Sequence, residues 1–258
     1  MKVYDCFIFN HEIELLEVRL NVLNDCVDKF IITEGNVTFS GKPKESFYLK
    51  NKDRFSKWQD KIILNQIKIH KFNSPWDREI YSRNSIMDLK IFEDEDLILT
   101  SDSDEIPNPE VIENMSEWVS DDTHFTFQQK AYHGYLNNLY TDSWFGTRAA
   151  TYKYMKNTTV DDIREGTEDE SKITGSIITN GGWHFTYCGD DTHVKQKIDS
   201  FCDTQYNVPE ITDLVYENLK NGKDVLNRSH IRYRKVEIDD NFPEYIVNNQ
   251  EKYSHLIL

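Results

Sequence analysis

Residues 97–110 read LILTSDSDEIPNPE, an apolar run that leads directly into a cluster of acidic side chains. Residues 97–100 are typical of a buried strand, and Asn108 is a typical N-cap for a helix that starts at the proline after it. Asp102 and Asp104 lie just past the strand at positions i and i+2, so both carboxylates can reach one divalent cation. Mn²⁺ and Mg²⁺ prefer such oxygen ligands and complete their shell with phosphates and water.

Strand-like and helix-like segments alternate on both sides of this stretch. We predict strands over residues 2–9, 28–35, 61–70 and 96–100, and helices over 12–24 and 76–92, where apolar residues recur at helical spacing. The second half is less regular, with predicted strands over 123–136, 147–155 and 181–189 and helices over 192–201 and 208–219. Such alternation predicts an α/β fold with a mostly parallel sheet flanked by helices, followed by a smaller antiparallel region.

Ligands of such sheets bind at the carboxyl ends of the strands. Asn10, Glu34 and Ser103 stand at three predicted strand ends, and we expect them to bind the donor molecule. A carboxylate such as that of Glu34 can accept hydrogen bonds from a ribose or a base edge. An ordinary surface turn remains the alternative for Glu34, and chance spacing remains the alternative for the aspartates in a chain with 45 acidic residues.

Two further segments carry residues suited to the same chemistry. His184, in GGWHFTYCG, points to the opposite face of its strand from its neighbours and can add an imidazole ligand to the cation begun by Asp104. A structural role for a lone strand histidine is the alternative. Arg83, in WDREIYSRN, can bind a diphosphate with its planar fork or pair with Glu79 one helical turn away.

Aromatic side chains in the second half are candidates for binding an acceptor sugar. Tyr135, Trp144 and Trp183 present flat apolar faces of the kind that stack on the C–H faces of sugar rings. Packing in the core is the competing explanation.

The formal net charge of −15 argues against a nucleic-acid partner and against an anionic membrane surface. A small phosphorylated ligand stays compatible, because a bound divalent cation reverses the local sign. No run of about 20 apolar residues predicts a membrane span, and the N-terminus does not have the pattern of a signal peptide. The cysteines have no C-x-x-C spacing, and Walker A, G-x-G-x-x-G and G-x-S-x-G motifs are absent. We therefore expect a cytoplasmic protein with reduced thiols.

Four separated segments, taken in order, resemble glycosyltransferase family 17, the family of β-1,4-mannosyl-glycoprotein β-1,4-N-acetylglucosaminyltransferase. They are residues 5–44, WDREIYSRN at 76–84, LILTSDSDEIP at 97–107 and GGWHFTYCG at 181–189. The chain is most similar to the compact bacterial or viral members, which implies the cytoplasm of a bacterium or of a host cell. A bisected N-glycan is then not implied as its acceptor.

The resemblance implies a GT-A-like fold in which residues 1–107 form a Rossmann-type nucleotide-sugar-binding half and residues 108–258 form the acceptor-binding half of one fused catalytic domain. It also implies an inverting, metal-dependent transfer from UDP-N-acetylglucosamine that gives a β-linkage. Asp102 and Asp104 match the D-x-D pair, and His184 matches a further metal ligand. The catalytic base stays open among Glu105, Glu165, Asp190 and Asp191.

Two other functions stay open. The same scaffold can transfer a different sugar from another nucleotide, or it can serve as a carbohydrate-binding module without catalytic activity. The intact acidic strand end and His184 favour an enzyme over a binding module.

Overall fold

A mixed sheet of ten strands forms the centre of the computed structural model, which describes residues 1–70, 72, 74–167 and 169–258. The first five strands are β1 Val3–Ile8, β2 Lys29–Gly35, β3 Ile62–Ile67, β4 Leu97–Asp102 and β5 Glu105–Pro107. The remaining strands are β6 Phe125–His133, β7 Asn138–Thr151, β8 Ser176–Ile178, β9 Gly182–Thr186 and β10 Arg234–Lys235.

The strand order divides the sheet into a parallel part and a more irregular part. The order is β3-β2-β1-β4-β7-β6-β9-β5, with β10 beside β7 and β8 beside β6. The strands β3, β2, β1 and β4 are mutually parallel, whereas β7 runs antiparallel to both β4 and β6. This arrangement confirms the predicted α/β class with a mixed sheet flanked by helices.

Helices pack on the faces of this sheet. Their bounds are α1 Ile13–Val22, α2 Phe47–Asn51, α3 Pro75–Asn84, α4 Pro109–Asn114, α5 Tyr152–Met155, α6 Val160–Ile163, α7 Asp191–Ser200, α8 Pro209–Thr212, α9 Val215–Lys220 and α10 Glu244–Asn248. Several short 3-10 helices follow or separate them. None of the helices described here is both long and apolar enough to cross a lipid bilayer.

Three predicted elements differ from the observed ones. The α-helix expected over 76–92 ends at Asn84 and continues as a 3-10 helix over Ser85–Asp88, where the Ser85 hydroxyl donates to the Ser82 carbonyl. The strand expected over 147–155 ends at Thr151, whose hydroxyl caps α5. The helix expected over 208–219 is two short helices, α8 and α9.

Arg19 of α1 binds the backbone of the acidic turn, residues 102–105 at the end of β4. The side chain of Arg19 is fully buried. Its guanidinium binds the Asp5 carboxylate of β1 at 2.6 and 2.7 Å. It also donates to the backbone carbonyls of Asp102, Ser103 and Glu105 at 3.0, 3.3 and 2.7 Å. The turn is thereby held from the first strand and the first helix of the chain.

Arg19→Met is expected to lower the free energy of unfolding by about 3–5 kcal/mol, because it leaves the carboxylate of Asp5 buried without a partner. Urea denaturation measures the loss. Arg54→Met removes a more exposed ion pair with Glu17 and is the control, with an expected loss of about 0–1 kcal/mol. Equal losses in the two variants would contradict the anchoring role of Arg19.

Candidate active site

A cavity of about 810 Å³ opens where the parallel strands end and faces strands of the second half. Its size is in the range of small-molecule sites, about 300–1,000 Å³. Side chains from both halves line it, among them Asn10, Glu12, Lys44, Trp76, Arg83, Asp102, Ser103, Asp104, His133, Tyr140, Trp144, Asp162, Arg164, Glu165, His184 and Lys197. The cavity therefore brings two of the three predicted strand-end residues, Asn10 and Ser103, together with residues far away in the sequence.

Asp104 and His184 lie side by side at the floor of this cavity. Nε2 of His184 is 3.5 Å from Oδ2 of Asp104, and both side chains are almost completely buried. The imidazole stacks on the Trp144 ring with 4.3 Å between the ring centroids. Its Nδ1 is buried and has no hydrogen-bond partner among the described residues.

Lys197 of α7 binds the same carboxylate oxygen of Asp104 that faces His184. Its Nζ is 2.6 Å from Oδ2 of Asp104 and 3.3 Å from Oε1 of Glu12. Burial works against the charged forms of all three groups, but their attraction lowers the pKa of Asp104 and raises that of Lys197. Lys197 therefore keeps its positive charge at the cavity floor.

Asp102 points elsewhere, towards two arginines. Its carboxylate oxygens lie 3.1 and 3.3 Å from Nη2 of Arg83, and Nη2 of Arg164 is 3.2 Å from Oδ2. Arg83 also pairs with Glu79 and Asp161. Its Nε is buried and has no partner within the described part of the chain.

Glu105 lies completely buried behind this layer. Its carboxylate accepts two bonds from Arg164 at 2.8 and 3.0 Å, one from Trp144 Nε1 at 2.9 Å and one from the backbone N–H of Asp102 at 2.9 Å. Burial alone would raise its pKa, but the Arg164 guanidinium outweighs burial and lowers the pKa to about 2. Glu105 is consequently a structural counter-charge rather than a proton acceptor.

Arg148 of β7 shapes the wall that carries Arg164 and Glu165. Its buried guanidinium donates to the carbonyls of Ile163, Arg164 and Glu165 at 2.6, 3.2 and 3.2 Å. This set of bonds draws the segment after α6 against the sheet. The side chain of Arg164 then points inward, and that of Glu165 lines the cavity and is exposed to solvent.

The predicted metal ligands fit a divalent ion in part. Asp104 and His184 converge and offer one carboxylate and one imidazole, a combination that suits Mn²⁺. Asp102 is turned towards the arginines, and no cluster of three or more Asp, Glu, His or Cys side chains within the described residues could hold a metal ion. An ion here would take the remaining ligands from phosphate oxygens and water.

Of the residues predicted to bind the donor, Asn10, Arg83, Asp102 and Ser103 line the cavity. Glu34 has a different position. Its two oxygens accept from the Ser46 hydroxyl and from the N–H groups of Phe47 and Tyr48, so it caps the start of α2. Lys44, which lines the cavity, also lies 3.4 Å from Oε1 of Glu34, so both carboxylate oxygens of the buried Glu34 are engaged within the protein.

The four predicted candidates for the catalytic base differ in whether they line the cavity and in whether their carboxylates already have partners. Glu165 lines the cavity, and no described side chain binds its carboxylate. Asp190 is the N-cap of α7 and accepts from the N–H of His193, while Asp191 pairs with Lys195 on the outer face of that helix. Both lie outside the cavity, and Glu105 is enclosed by its four bonds.

The three aromatic side chains predicted to bind the acceptor sugar also differ in position. Trp144 lines the cavity next to His184, as does the exposed Tyr140. Trp183 belongs to the hydrophobic core and donates its Nε1 to the Asn241 carbonyl at 2.8 Å. Tyr135 packs against a small cluster around Tyr187 and does not line the cavity.

The cavity also contains residues that were not predicted from the sequence, chiefly Lys197 and Arg164. A signal for Lys197 was present, because it lies beside Val194 and Ile198 on the apolar side of α7, where a lysine is unexpected. Arg164 gave no such signal, since its partners Asp102 and Glu105 are about 60 positions earlier in the chain.

Comparisons with known proteins identify the family to which the sequence is similar. The model of glycosyltransferase family 17 matches residues 1–227, which confirms the predicted resemblance. No curated protein matches the sequence.

Solved structures show distant similarity. The structure of S. aureus TarS 1-349 has a TM-score of 0.42 and 12% sequence identity, with 89% of this chain and 74% of that chain covered. The galactosyltransferase LgtC, in complex with donor and acceptor sugar analogs, has a TM-score of 0.39 and 10% identity, with 63% and 62% covered.

His133 provides a pH-dependent contribution to stability at the wall of the cavity. Its Nε2 accepts from the N–H of Val225 at 3.1 Å, so the folded protein holds it neutral. Burial is the main cause that lowers its pKa to about 3, and the nearby carboxylate of Asp224 opposes this only in part. In the unfolded chain a histidine takes up its proton near pH 6.5.

We therefore expect stability to fall as the pH is lowered from about 6.5 towards 3, by up to ~1.4 kcal/mol per pH unit for this group. Urea unfolding of His133→Gln over this range should give a shallower slope than the unmodified protein. His255→Gln, which changes an exposed histidine, should keep the slope. An unchanged slope in His133→Gln would contradict the assignment.

Proposed function

Since this chain belongs to glycosyltransferase family 17, we propose that it is an inverting, metal-dependent enzyme that transfers N-acetylglucosamine from UDP-N-acetylglucosamine to a carbohydrate acceptor with a β-linkage. The match to the family supports the transfer of a sugar. The observation that supports the finer proposal is the convergence of Asp104 and His184 in a cavity that both halves of the chain line.

The balance of charge at the cavity floor supports a divalent cation. Five carboxylates lie in this cluster, those of Glu12, Glu79, Asp102, Asp104 and Glu105. Among the described lysines and arginines, Arg83, Arg164 and Lys197 are the ones that pair with them. A diphosphate would meet net negative charge there. A divalent ion held by Asp104 and His184 would reverse that sign and supply Lewis-acid stabilisation to the leaving phosphate.

The parallel half supplies the groups suited to the donor. Asn10 and Ser103 stand at the ends of β1 and β4, where nucleotides bind in sheets of this kind. Arg83 is fixed by Asp102 and Glu79 and lines the cavity with a guanidinium charge that suits a phosphate. Fixed donors of this kind lose little entropy when the donor molecule binds.

Glu165 is the proposed catalytic base. An inverting transfer needs a carboxylate to take the proton of the attacking hydroxyl on the face opposite the leaving group. Glu165 lines the cavity on a segment that Arg148 fixes, and its carboxylate is not used by any ion pair among the described residues. Asp162 lies on the same wall and is the second candidate.

Removal of the metal is expected to silence the enzyme. Purified protein in EDTA should transfer no sugar, and added Mn²⁺ should restore transfer, because the diphosphate cannot bind well to a floor of net negative charge. Asp104→Asn should reduce transfer in Mn²⁺ by about 10²-fold or more, since the ion contributes several kcal/mol to the leaving group. The measurement is release of UDP with and without acceptor.

Asp191→Asn is the matched control, because Asp191 lies on the outer face of α7. Unchanged turnover in EDTA would refute metal dependence.

The donor is tested by thermal shift with UDP-, GDP- and CMP-sugars, where a ligand at 100 times its Kd stabilises by about 2.7 kcal/mol. Stabilisation by GDP- or CMP-sugars alone would indicate that the donor is not a UDP-sugar. Absence of donor hydrolysis would favour a carbohydrate-binding module over an enzyme.

Glu165→Gln is expected to lower kcat by about 10²- to 10⁴-fold with little change in the donor KM, because general-base catalysis acts on the acceptor hydroxyl. Glu170→Gln changes an exposed carboxylate in the following 3-10 turn and is the control. A kcat within twofold of the unmodified enzyme would exclude Glu165 as the base and leave Asp162 to be tested.

A further inference from the structure

Lys197 occupies an unusual position for a lysine. Only 16% of its side chain is exposed, and its ammonium lies between Glu12, at the start of α1, and Asp104, in the turn after β4. Tyr187 closes a third side, with Nζ 5.4 Å from the ring centroid. The open direction leads into the cavity, which Lys197 lines.

The oxygen that Lys197 binds is the oxygen that faces His184. Oδ2 of Asp104 is 2.6 Å from Nζ of Lys197 and 3.5 Å from Nε2 of His184. A divalent ion bound to Asp104 and His184 would therefore compete with the ammonium for one oxygen. Two cations that share one oxygen repel each other, so an ion bound there would weaken the hold of Asp104 on the ammonium.

Glu12 limits where the ammonium can go. Its Oε1 is 3.3 Å from Nζ, and its Oε2 accepts from the N–H of His11 at 3.0 Å, which fixes the carboxylate. A lysine released from Asp104 and still tethered by Glu12 stays at the cavity floor. It is then a free ammonium next to the ion, where the diphosphate of a donor would lie.

We propose that Lys197 binds the diphosphate of the donor, and that its ammonium moves from Asp104 to a phosphate oxygen when the donor and its cation enter. This inference rests on the proposed function, because it concerns the donor of the same site. It gives Lys197 two opposite effects. The lysine weakens binding of a cation alone, and it strengthens binding of a diphosphate.

The test compares Lys197→Met, Lys197→Arg and Lys195→Met by calorimetry. Lys195 is the matched control, since it lies on the same helix, pairs with Asp191 and does not line the cavity. The probes are Mn²⁺ alone, inorganic pyrophosphate with Mn²⁺, UDP with Mn²⁺, and uridine.

Lys197→Met is expected to bind UDP and pyrophosphate about 10- to 100-fold more weakly, the usual effect of losing one charge-assisted hydrogen bond. Its affinity for uridine should not change. Its affinity for Mn²⁺ alone should rise by about threefold or more, because Asp104 is released from the competing ammonium. Lys197→Arg should recover part of the UDP affinity, and Lys195→Met should behave like the unmodified protein.

A purely structural role predicts the opposite pattern, in which Lys197→Met weakens Mn²⁺, UDP and uridine together, and that result would overturn the proposal. UDP affinity within twofold of the unmodified protein would also overturn it. If Lys197→Met does not fold by its urea transition, Glu12→Gln loosens the tether and should weaken pyrophosphate but not uridine. Equal effects on both probes would again reject the proposal.

These results are separate from the proposed function. A protein that binds UDP through Lys197 but transfers no sugar would refute the function and keep the inference. A protein that binds pyrophosphate but not UDP would refute the predicted donor alone. An unmodified protein that binds neither would refute the role of Lys197.

Discussion

The bonds of Arg19 fix the position of the acidic turn on which the candidate site depends. A turn with carboxylates at three of four consecutive positions repels itself, and its carbonyls need donors. Arg19 supplies those donors from the first helix, and Asp5 balances its charge from the first strand. Asp102 and Asp104 are thereby held on a backbone that does not depend on any ligand.

A second layer of cations sets the direction of each acidic side chain. Arg164 holds Glu105 inward and draws Asp102 to one side, while Lys197 holds Asp104 to the other. The two aspartates therefore have different surroundings. Asp102 contacts the two arginines, and Asp104 is paired with His184 and Lys197.

The sequence was sufficient to predict the parallel strands and the residues at their ends, because buried apolar runs and the strand-end rule depend on local pattern. Asn10, Asp102 and Asp104 reached one cavity for this reason. Glu34 satisfied the same rule but caps α2, a five-residue helix too short to give a periodic signal. Trp183 lies in the core for a different reason. Side chains alternate along a strand, and because its neighbour His184 faces the cavity, Trp183 faces the opposite side of the sheet. The pairing of Arg164 and Lys197 with distant acids required the fold itself.

The antiparallel ladder between β4 and β7 joins the two halves of the chain through consecutive residue pairs from Leu97–Thr151 to Thr100–Arg148. A rotation of one half against the other would have to break this ladder at the strand that leads into the acidic turn. Closure over a bound nucleotide would then require movement of surface segments, such as the loop between β2 and α2. An enzyme built in this way would change its preferred acceptor by remodelling loops, while the paired strands beneath them stay as they are.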